Sequence, residues 1–176
     1  SYGYGISFTA LHLVRAYSAL ANDGLMPQLR LIENAPHVPP QRTVSEVVAR
    51  EVRQLMLGVV APGGTALRAA VPGYRIAGKT GTARMTATGG GYAKDRHRSI
   101  FIGMLPADHP RLVGLVIIDN PASGEYYGGL VSAPVFSAVM QGAARLLRIP
   151  PDEPLPAPAT PSLLTVSLPQ HAGPRK

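Results

Sequence analysis

The sequence predicts an α+β fold in which helices pack against an antiparallel sheet. Two apolar runs of strand length, residues 99–106 and 112–119, are joined by a short turn-rich segment, which is typical of a β-hairpin. A third candidate strand, residues 74–79, alternates with period two, as a strand with one buried face does. Segments with helical spacing precede and follow these strands. The order helix, helix, strand, strand, strand, helix therefore favours an antiparallel sheet flanked by helices.

The first helix is expected to begin after Ser7 or Thr9, either of which can cap it, and to run to about Asn22. Gly24 suits the left-handed backbone that often follows a helix C-terminus. The apolar residues of this segment recur at helical spacing, which predicts one buried face. The predicted buried residues are Leu11, Val14, Tyr17 and Ala21.

Two further helices follow from similar signals. One begins at residues 43–46, which have the form of a capping box, and ends at Pro62 and Gly63. Its predicted buried stripe consists of Val44, Val48, Val52, Leu55 and Val59. The last helix follows residues 132–134, because a proline is tolerated in a first helical turn. Its predicted buried residues are Val135, Val139, Met140, Ala143 and either Leu146 or Leu147.

Length and composition limit the possible classes of protein. A chain of 176 residues can form one domain with a substantial core, and the absence of cysteine excludes disulfides and thiolate zinc sites. The longest apolar stretches are about as long as residues 112–118, too short to cross a bilayer. No signal segment opens the sequence. The sequence begins within a motif, so we expect it to be a fragment of a longer protein.

The positive charge does not by itself predict nucleic-acid binding. The formal net charge is +7, and the densest cluster, residues 94–98, is interrupted by an acid. No aromatic residues alternate with these cations to stack on bases, so a solvated loop is the simpler interpretation. The histidines lack the spacing of a metal pair. We therefore expect no nucleic-acid partner, no metal and no organic cofactor.

Lys79-Thr80-Gly81, followed by Thr82, is the segment most suggestive of chemistry. A cation, two hydroxyls and a glycine along an accessible strand suit a carboxylate-bearing peptide that adds alongside that strand. For the tripeptide alone, an ordinary edge strand with a lysine that discourages aggregation is the simpler interpretation, because so short a motif is common. The surrounding sequence has to decide between these interpretations.

The surrounding residues resemble the class B penicillin-binding proteins, the peptidoglycan D,D-transpeptidases. Pro-Gly-Gly-Thr-Ala at 62–66 and Ala-Gly-Lys-Thr-Gly-Thr-Ala at 77–83 carry most of the resemblance. Residues 4–24 are similar to the helix that follows the second family motif, and Tyr-Gly-Gly with Ser-Ala-Pro-Val-Phe at 127–136 resembles the final strand-to-helix turn. Asp-Asn-Pro at 119–121 looks more like the division-specific, FtsI-type branch than the elongation branch.

The resemblance implies that only part of an active site is present. The family's Ser-x-x-Lys, which supplies the nucleophile, and its Ser-x-Asn or Ser-Asp-Asn motif occur nowhere in the 176 residues. It implies catalytic roles for Lys79, which would stand beside the absent serine, and for Thr82, whose backbone N–H would form half of the oxyanion hole. The implied substrate-binding residues are Thr80, Gly81, Thr82, Arg84, Tyr126 and Tyr127. For the two tyrosines, ordinary packing remains the alternative.

The resemblance also implies partners, a location and a domain division. The expected ligands are stem peptides ending in D-Ala-D-Ala and β-lactam antibiotics, and the expected partners are a division glycosyltransferase and other divisome proteins. The location implied is the periplasmic face of the bacterial inner membrane, with the membrane anchor in the missing N-terminal part. Residues 1–149 would belong to the transpeptidase domain and residues 150–176 would form a proline-rich disordered tail. The alternatives are an inactive peptide-binding module and a β-lactamase or penicillin-sensor relative.

Overall fold

The computed structural model describes residues 7–87, 90–122 and 124–154. Its secondary structure confirms the predicted α+β class and the predicted order of the main elements. These elements are α1 (Ala10–Ala21), β1 (Leu25–Met26), β2 (Gln41–Arg42), α2 (Glu46–Leu57), β3 (Ala77–Thr86), β4 (Tyr92–Leu105), β5 (Leu112–Asp119) and α3 (Gly128–Leu146). A short 3-10 helix, Leu67–Ala69, precedes β3.

The main sheet has the antiparallel order β3-β4-β5. The predicted hairpin is therefore confirmed, with Phe101 of β4 lying between Thr80 of β3 and Val116 of β5. The predicted first strand begins three residues later than expected, since Tyr74 forms only an isolated bridge with Val71. The short strands β1 and β2 pair separately from this sheet.

Helices cover both faces of the main sheet. Contacts from α1 and α2 reach one face, where Met56, Ala77 and Met104 form a small core. On the other face, α3 packs over Phe101, whose ring meets that of Phe136 edge-on at a centroid distance of 4.8 Å. Glycines 103 and 114 make room for the Phe136 ring, because a Cβ at either position would lie about 3 Å from it. The core therefore consists of two layers with the sheet between them.

The first helix begins and ends as predicted. The Thr9 hydroxyl accepts a hydrogen bond from the His12 backbone N–H, which caps the N-terminus of α1. At the other end Asp23 and Gly24 both have positive φ, and the Gly24 N–H donates to the Ala19 carbonyl. This left-handed turn directs the chain towards β1.

The second helix differs from its prediction at its start and on its buried face. Ser45, not Thr43, is the cap, so Glu46 is the first helical residue and the predicted capping box is wrong. The buried residues are Ala49, Arg53 and Met56. Two members of the predicted stripe are instead exposed, Val48 at 44% and Leu55 at 79%. The other three, Val44, Val52 and Val59, are half-buried, and Val52 and Val59 pack against the core. The predicted stripe therefore lies beside the buried face, whose centre is occupied by a buried arginine.

The third helix begins earlier than predicted, at Gly128, so residues 132–134 lie within it and Pro134 is in its interior. Of the predicted buried stripe, Met140 is buried, whereas Val135, Val139, Leu146 and Leu147 are exposed. The observed buried residues are Gly128, Gly129, Ser132, Ala133, Phe136, Met140 and Ala144. Small residues form much of this face, and a count of large apolar side chains could not identify it.

A buried arginine joins the first two helices. The Arg53 guanidinium, with its side chain 5% exposed, donates to the Leu20 carbonyl at 2.6 Å and to the Asp23 carboxylate at 2.8 Å. Arg50 also pairs with Asp23, but from the surface. Substituting Arg53 would leave the Leu20 carbonyl without this donor, and buried polar groups are costly to leave unpaired.

We therefore expect Arg53→Met to lower the free energy of unfolding by about 2 to 3 kcal/mol. Chemical denaturation measures this change. Arg50→Met is the matched control, since it removes an exposed ion pair with the same carboxylate and should change stability little. Equal effects of the two substitutions would contradict the structural role given to Arg53.

The same carboxylate makes stability depend on pH. The hydrogen bond from Arg50, assisted by Arg53, holds the pKa of Asp23 below its usual value. The unfolded chain therefore binds the proton more readily, so stability is present above the ordinary aspartate pKa and is lost as pH falls through the lower folded value. Asp23→Asn should flatten the acid limb of a stability-against-pH curve. An acid limb identical to that of the unsubstituted protein would contradict this assignment.

The beginning of the predicted tail contacts the loop before β3. The backbone N–H groups of Asp152 and Glu153 both donate to the Gly73 carbonyl, and the Asp152 carboxylate accepts from the Arg75 N–H at 2.9 Å. Residues 155–176 of that tail lie outside the described residues, so the domain division at residue 150 stays a prediction. Within residues 7–87, 90–122 and 124–154, no helix combines the length and hydrophobicity needed to span a bilayer.

Candidate active site

The side chains of the Lys-Thr-Gly segment point to both faces of β3. Ala77 belongs to the core on the α1 and α2 side, whereas a Cβ at Gly78 would touch the Phe101 ring on the α3 side. Because side chains alternate along a strand, Lys79 lies on the α1 and α2 side. Thr80 and Thr82 lie on the α3 side, as their contacts confirm.

The two threonines face a cavity at the N-terminus of α3. The Thr80 hydroxyl lies 3.1 Å from the Thr65 hydroxyl, and the Thr82 hydroxyl accepts from the Gly128 backbone N–H at 3.3 Å. The cavity has a volume of about 340 Å³ and is open to solvent. Its lining consists of Thr65, Thr80, Thr82, Tyr127, Gly128, Gly129 and Leu130. Three separate segments of the chain therefore contribute hydroxyl groups or backbone N–H groups to one cavity.

Two glycines allow these segments to approach so closely. A Cβ at Gly128 would lie 2.2 Å from the Ile100 carbonyl oxygen, and a Cβ at Gly129 would lie 1.8 Å from the Thr65 carbonyl oxygen. Neither position can hold a larger residue without backbone movement. The Tyr-Gly-Gly sequence thus fixes the start of α3 directly against β3 and against the loop that carries Thr65, between α2 and the 3-10 helix.

Lys79 lies beside the backbone of the strand. Its ammonium group donates to the Thr80 carbonyl at 2.8 Å, and its side chain is exposed. The N–H of Thr82 points to the same edge of β3 as the Thr80 carbonyl, because residues two apart on a strand share an edge. In the part of the chain that the structure describes, β4 is the one strand paired with β3.

An aromatic row leads from β4 towards the cavity. The rings of His97 and Tyr126 stack at a centroid distance of 4.1 Å, and Tyr126 in turn lies 4.6 Å from Tyr127. The Tyr126 hydroxyl donates to that of Tyr127, which raises the pKa of Tyr126 above its ordinary value. Arg84 is the cross-strand neighbour of His97. The structure thus brings Arg84, Tyr126 and Tyr127 near one another, at one end of the cavity that Thr80 and Thr82 face.

Two residues of this region were not predicted as site residues. Thr65 belongs to the Pro-Gly-Gly-Thr-Ala segment at 62–66, which carries part of the family resemblance, but that resemblance implies no role for its hydroxyl. The charge pattern of residues 94–98 predicts a solvated loop, whereas these residues lie in β4 and the His97 ring stacks against Tyr126. The pairing of β3 with β4 brings His97 to this position, and neither spacing nor composition could reveal that.

Asp119 has a structural role at the end of β5. It accepts two hydrogen bonds from the Arg98 guanidinium, at 2.5 and 2.8 Å, directly across the strand pair. The Arg98 guanidinium holds the pKa of Asp119 below its usual range. The Asp-Asn-Pro residues at 119–121, which resemble the FtsI-type branch, therefore lie at the end of β5 and hold that end against β4.

Comparison with known proteins identifies the class. Residues 1–141 match the family described as the penicillin binding protein transpeptidase domain. The chain is 45% identical over 159 residues to a probable peptidoglycan D,D-transpeptidase, PbpC of Pseudomonas aeruginosa, covering 90% of this chain and 28% of that protein. It is 41% identical over 152 residues to the peptidoglycan D,D-transpeptidase FtsI of Escherichia coli K12, covering 86% of this chain and 26% of that protein.

A solved structure agrees with the sequence comparisons. The apo transpeptidase domain of Burkholderia pseudomallei penicillin-binding protein 3 superposes with a TM-score of 0.77 at 44% identity, covering 87% of this chain and 46% of that one. The chain therefore belongs to the penicillin-binding protein transpeptidase family and forms part of a class B, PenA/FtsI-like transpeptidase domain. It spans between a quarter and a third of the two curated relatives named above.

Proposed function

We propose that the complete protein is a peptidoglycan D,D-transpeptidase and that this chain supplies the strand along which the stem peptide binds. The observation that carries the proposal is the cavity in which Thr80 and Thr82 meet the N-terminus of α3, in a chain of this family. A serine outside this chain would attack the carbonyl between the two D-alanines and expel the terminal D-alanine. An acceptor amine would then take the acyl group and release the serine.

Catalytic roles are proposed for Lys79 and Thr82. The Lys79 ammonium group lies at the backbone of β3, where it would stand beside the attacking serine and hold the network that carries its proton. The Thr82 N–H, on the same edge as the Thr80 carbonyl, would donate to the oxyanion of the tetrahedral intermediate. A preorganised donor of this kind typically contributes about 3 to 4 kcal/mol to lowering the barrier.

Substrate binding is proposed for the remaining site residues. The peptide would add to β3 as a further strand, with Gly81 allowing its backbone to approach. The Thr80 and Thr82 hydroxyls would bind its terminal carboxylate, with Arg84 adding positive charge nearby. Tyr126 and Tyr127 would form a wall beside the peptide. β-Lactams would occupy the same groove, since they carry a carboxylate next to the reactive amide.

The cellular setting is proposed from the FtsI-like residues at 119–121 and the similarity to FtsI. The complete protein would act at the division septum, on the periplasmic face of the inner membrane, held by an anchor outside this chain. A glycosyltransferase and other divisome proteins would be its partners. A fluorescent fusion of the complete protein should concentrate at mid-cell during division, and uniform distribution along the cell wall would contradict the division assignment.

A transpeptidation assay tests the proposed reaction. The complete protein should transfer the acyl group of a stem-peptide donor to a D-amino acid acceptor, and benzylpenicillin should abolish the transfer. A folded protein that neither transfers the acyl group nor reacts with benzylpenicillin would show that the proposal is wrong.

A further inference from the structure

Thr65 lines the cavity proposed to bind the substrate carboxylate, and the proposed function gives its side chain no role. Its hydroxyl lies 3.1 Å from that of Thr80, and both groups line the cavity. Thr65 belongs to the loop between α2 and the 3-10 helix, far from β3 in sequence. The contact therefore depends on the tertiary fold and not on local chain geometry.

The loop that carries Thr65 is fixed on two sides. The N–H of Ala66 donates to the Val59 carbonyl at 2.8 Å, and the Thr65 carbonyl lies directly under Gly129 at the start of α3. Gly64 is packed equally closely, since a Cβ there would lie 2.3 Å from the Gly58 carbonyl. The backbone at Thr65 thus has little freedom to move, which makes its hydroxyl a preorganised partner for Thr80.

The direction of the hydrogen bonds decides what the cavity can bind. A threonine hydroxyl has one proton to donate and lone pairs to accept with. Thr82 already accepts from the Gly128 N–H, so its own proton remains available to a ligand. If Thr65 donates to Thr80, the Thr80 proton is likewise available. Both hydroxyls then present protons to the cavity, an arrangement that favours a carboxylate over a neutral group of the same shape, because hydrogen bonds to a charged acceptor are stronger.

We infer that Thr65 is a positioning residue that donates to the Thr80 hydroxyl and so directs the Thr80 proton towards the substrate carboxylate. The inference rests on the proposed function, because it deepens the role given there to Thr80. Without the Thr65 hydroxyl, Thr80 is free to turn its proton elsewhere and to present a lone pair to the carboxylate. The loss should be larger for anionic substrates than for neutral ones.

The test compares two substrates on the complete protein. Acylation rate constants would be measured for benzylpenicillin, which carries the carboxylate, and for its methyl ester, which does not. Thr65→Val keeps the shape and removes the hydroxyl, and we expect it to reduce the constant for benzylpenicillin roughly three- to tenfold, with a smaller change for the ester. Thr65→Ser retains the hydroxyl and should restore the preference for the carboxylate. A general structural fault would lower both constants together.

A double substitution separates this inference from the proposed function. If Thr65 acts through Thr80, then Thr65→Val should cause no further loss of carboxylate preference in a Thr80→Val background. If Thr80→Val lowers that preference but Thr65→Val does not, the inference about Thr65 is overturned and the proposed carboxylate site stands. If Thr80→Val leaves the preference unchanged, the proposed role of Thr80 fails and the inference fails with it.

Discussion

Lys79→Ala in the complete protein is expected to lower the acylation rate constant for benzylpenicillin by about 100-fold or more, as loss of a group in a proton-transfer network typically does. The ammonium group of Lys79 donates a hydrogen bond to the Thr80 carbonyl at the edge of β3, and the side chain is exposed, outside the hydrophobic core. Folding should therefore be unaffected, and the loss should appear in the chemical step. Stopped-flow kinetics with a fluorescent penicillin measures that step.

Arg111→Ala is the matched control for Lys79→Ala. It removes one exposed positive charge at the turn between β4 and β5, at the opposite end of β4 from the aromatic row. Acylation of this variant should be unchanged. A Lys79→Ala variant that is acylated at the normal rate would contradict the catalytic role of Lys79, and a slow Arg111→Ala variant would show that total charge, not position, controls the reaction.

Gly129→Ala is expected to lower the free energy of unfolding by about 3 kcal/mol, at the upper end of the usual cost of overpacking. The new Cβ would lie 1.8 Å from the Thr65 carbonyl oxygen, and a backbone group cannot turn aside as a flexible side chain can. Relief of this contact requires α3 to move away from the Thr65 loop. The cavity between them would then lose its shape, so penicillin acylation should fall along with stability. Chemical denaturation and acylation kinetics measure the two effects.

Gly142→Ala provides a control within the same helix. A Cβ at Gly142 would meet no atom within 4 Å. Alanine is favoured over glycine in a helix interior by about 0.5 to 1 kcal/mol, so this substitution should stabilise the protein and leave acylation unchanged. A similar change in stability for both alanine variants would show that helix propensity, and not the contact with Thr65, decides the result at Gly129.

The sheet and the Lys-Thr-Gly segment were largely predictable from the sequence. Strands of this length carry an apolar run between turn residues, and the pairing of β4 with β5 follows from a short connection. Two of the helical faces were not predictable in the same way. In α2 one of the buried residues is Arg53, whose partners are Leu20 of α1 and Asp23 in the turn that follows α1. In α3 the packing face is built from glycine, serine and alanine, which a hydrophobic pattern does not register.

The chemistry of the site was predicted less completely than its location. The resemblance indicates Thr80 and Thr82, and the fold places both in one cavity at the N-terminus of α3. The contacts of Thr65 with Thr80 and of His97 with Tyr126 join residues that are distant in sequence or separated by a hairpin. Such contacts depend on how the elements pack. They become visible only when the register of β3 and β4 and the close approach of Gly129 are known.

In the proposed function, this chain supplies half of a serine transpeptidase site and the nucleophile lies outside it. Labelling with fluorescent penicillin tests it most directly, with the 176-residue chain compared on a denaturing gel with a version extended to include the preceding coding sequence. We predict covalent label on the extended protein alone, with the label lost when Lys79→Ala is introduced and the exposure to penicillin is kept short. Label on the 176-residue chain itself would mean that one of its own serines is the nucleophile, which would contradict the proposal that the nucleophile lies outside this chain.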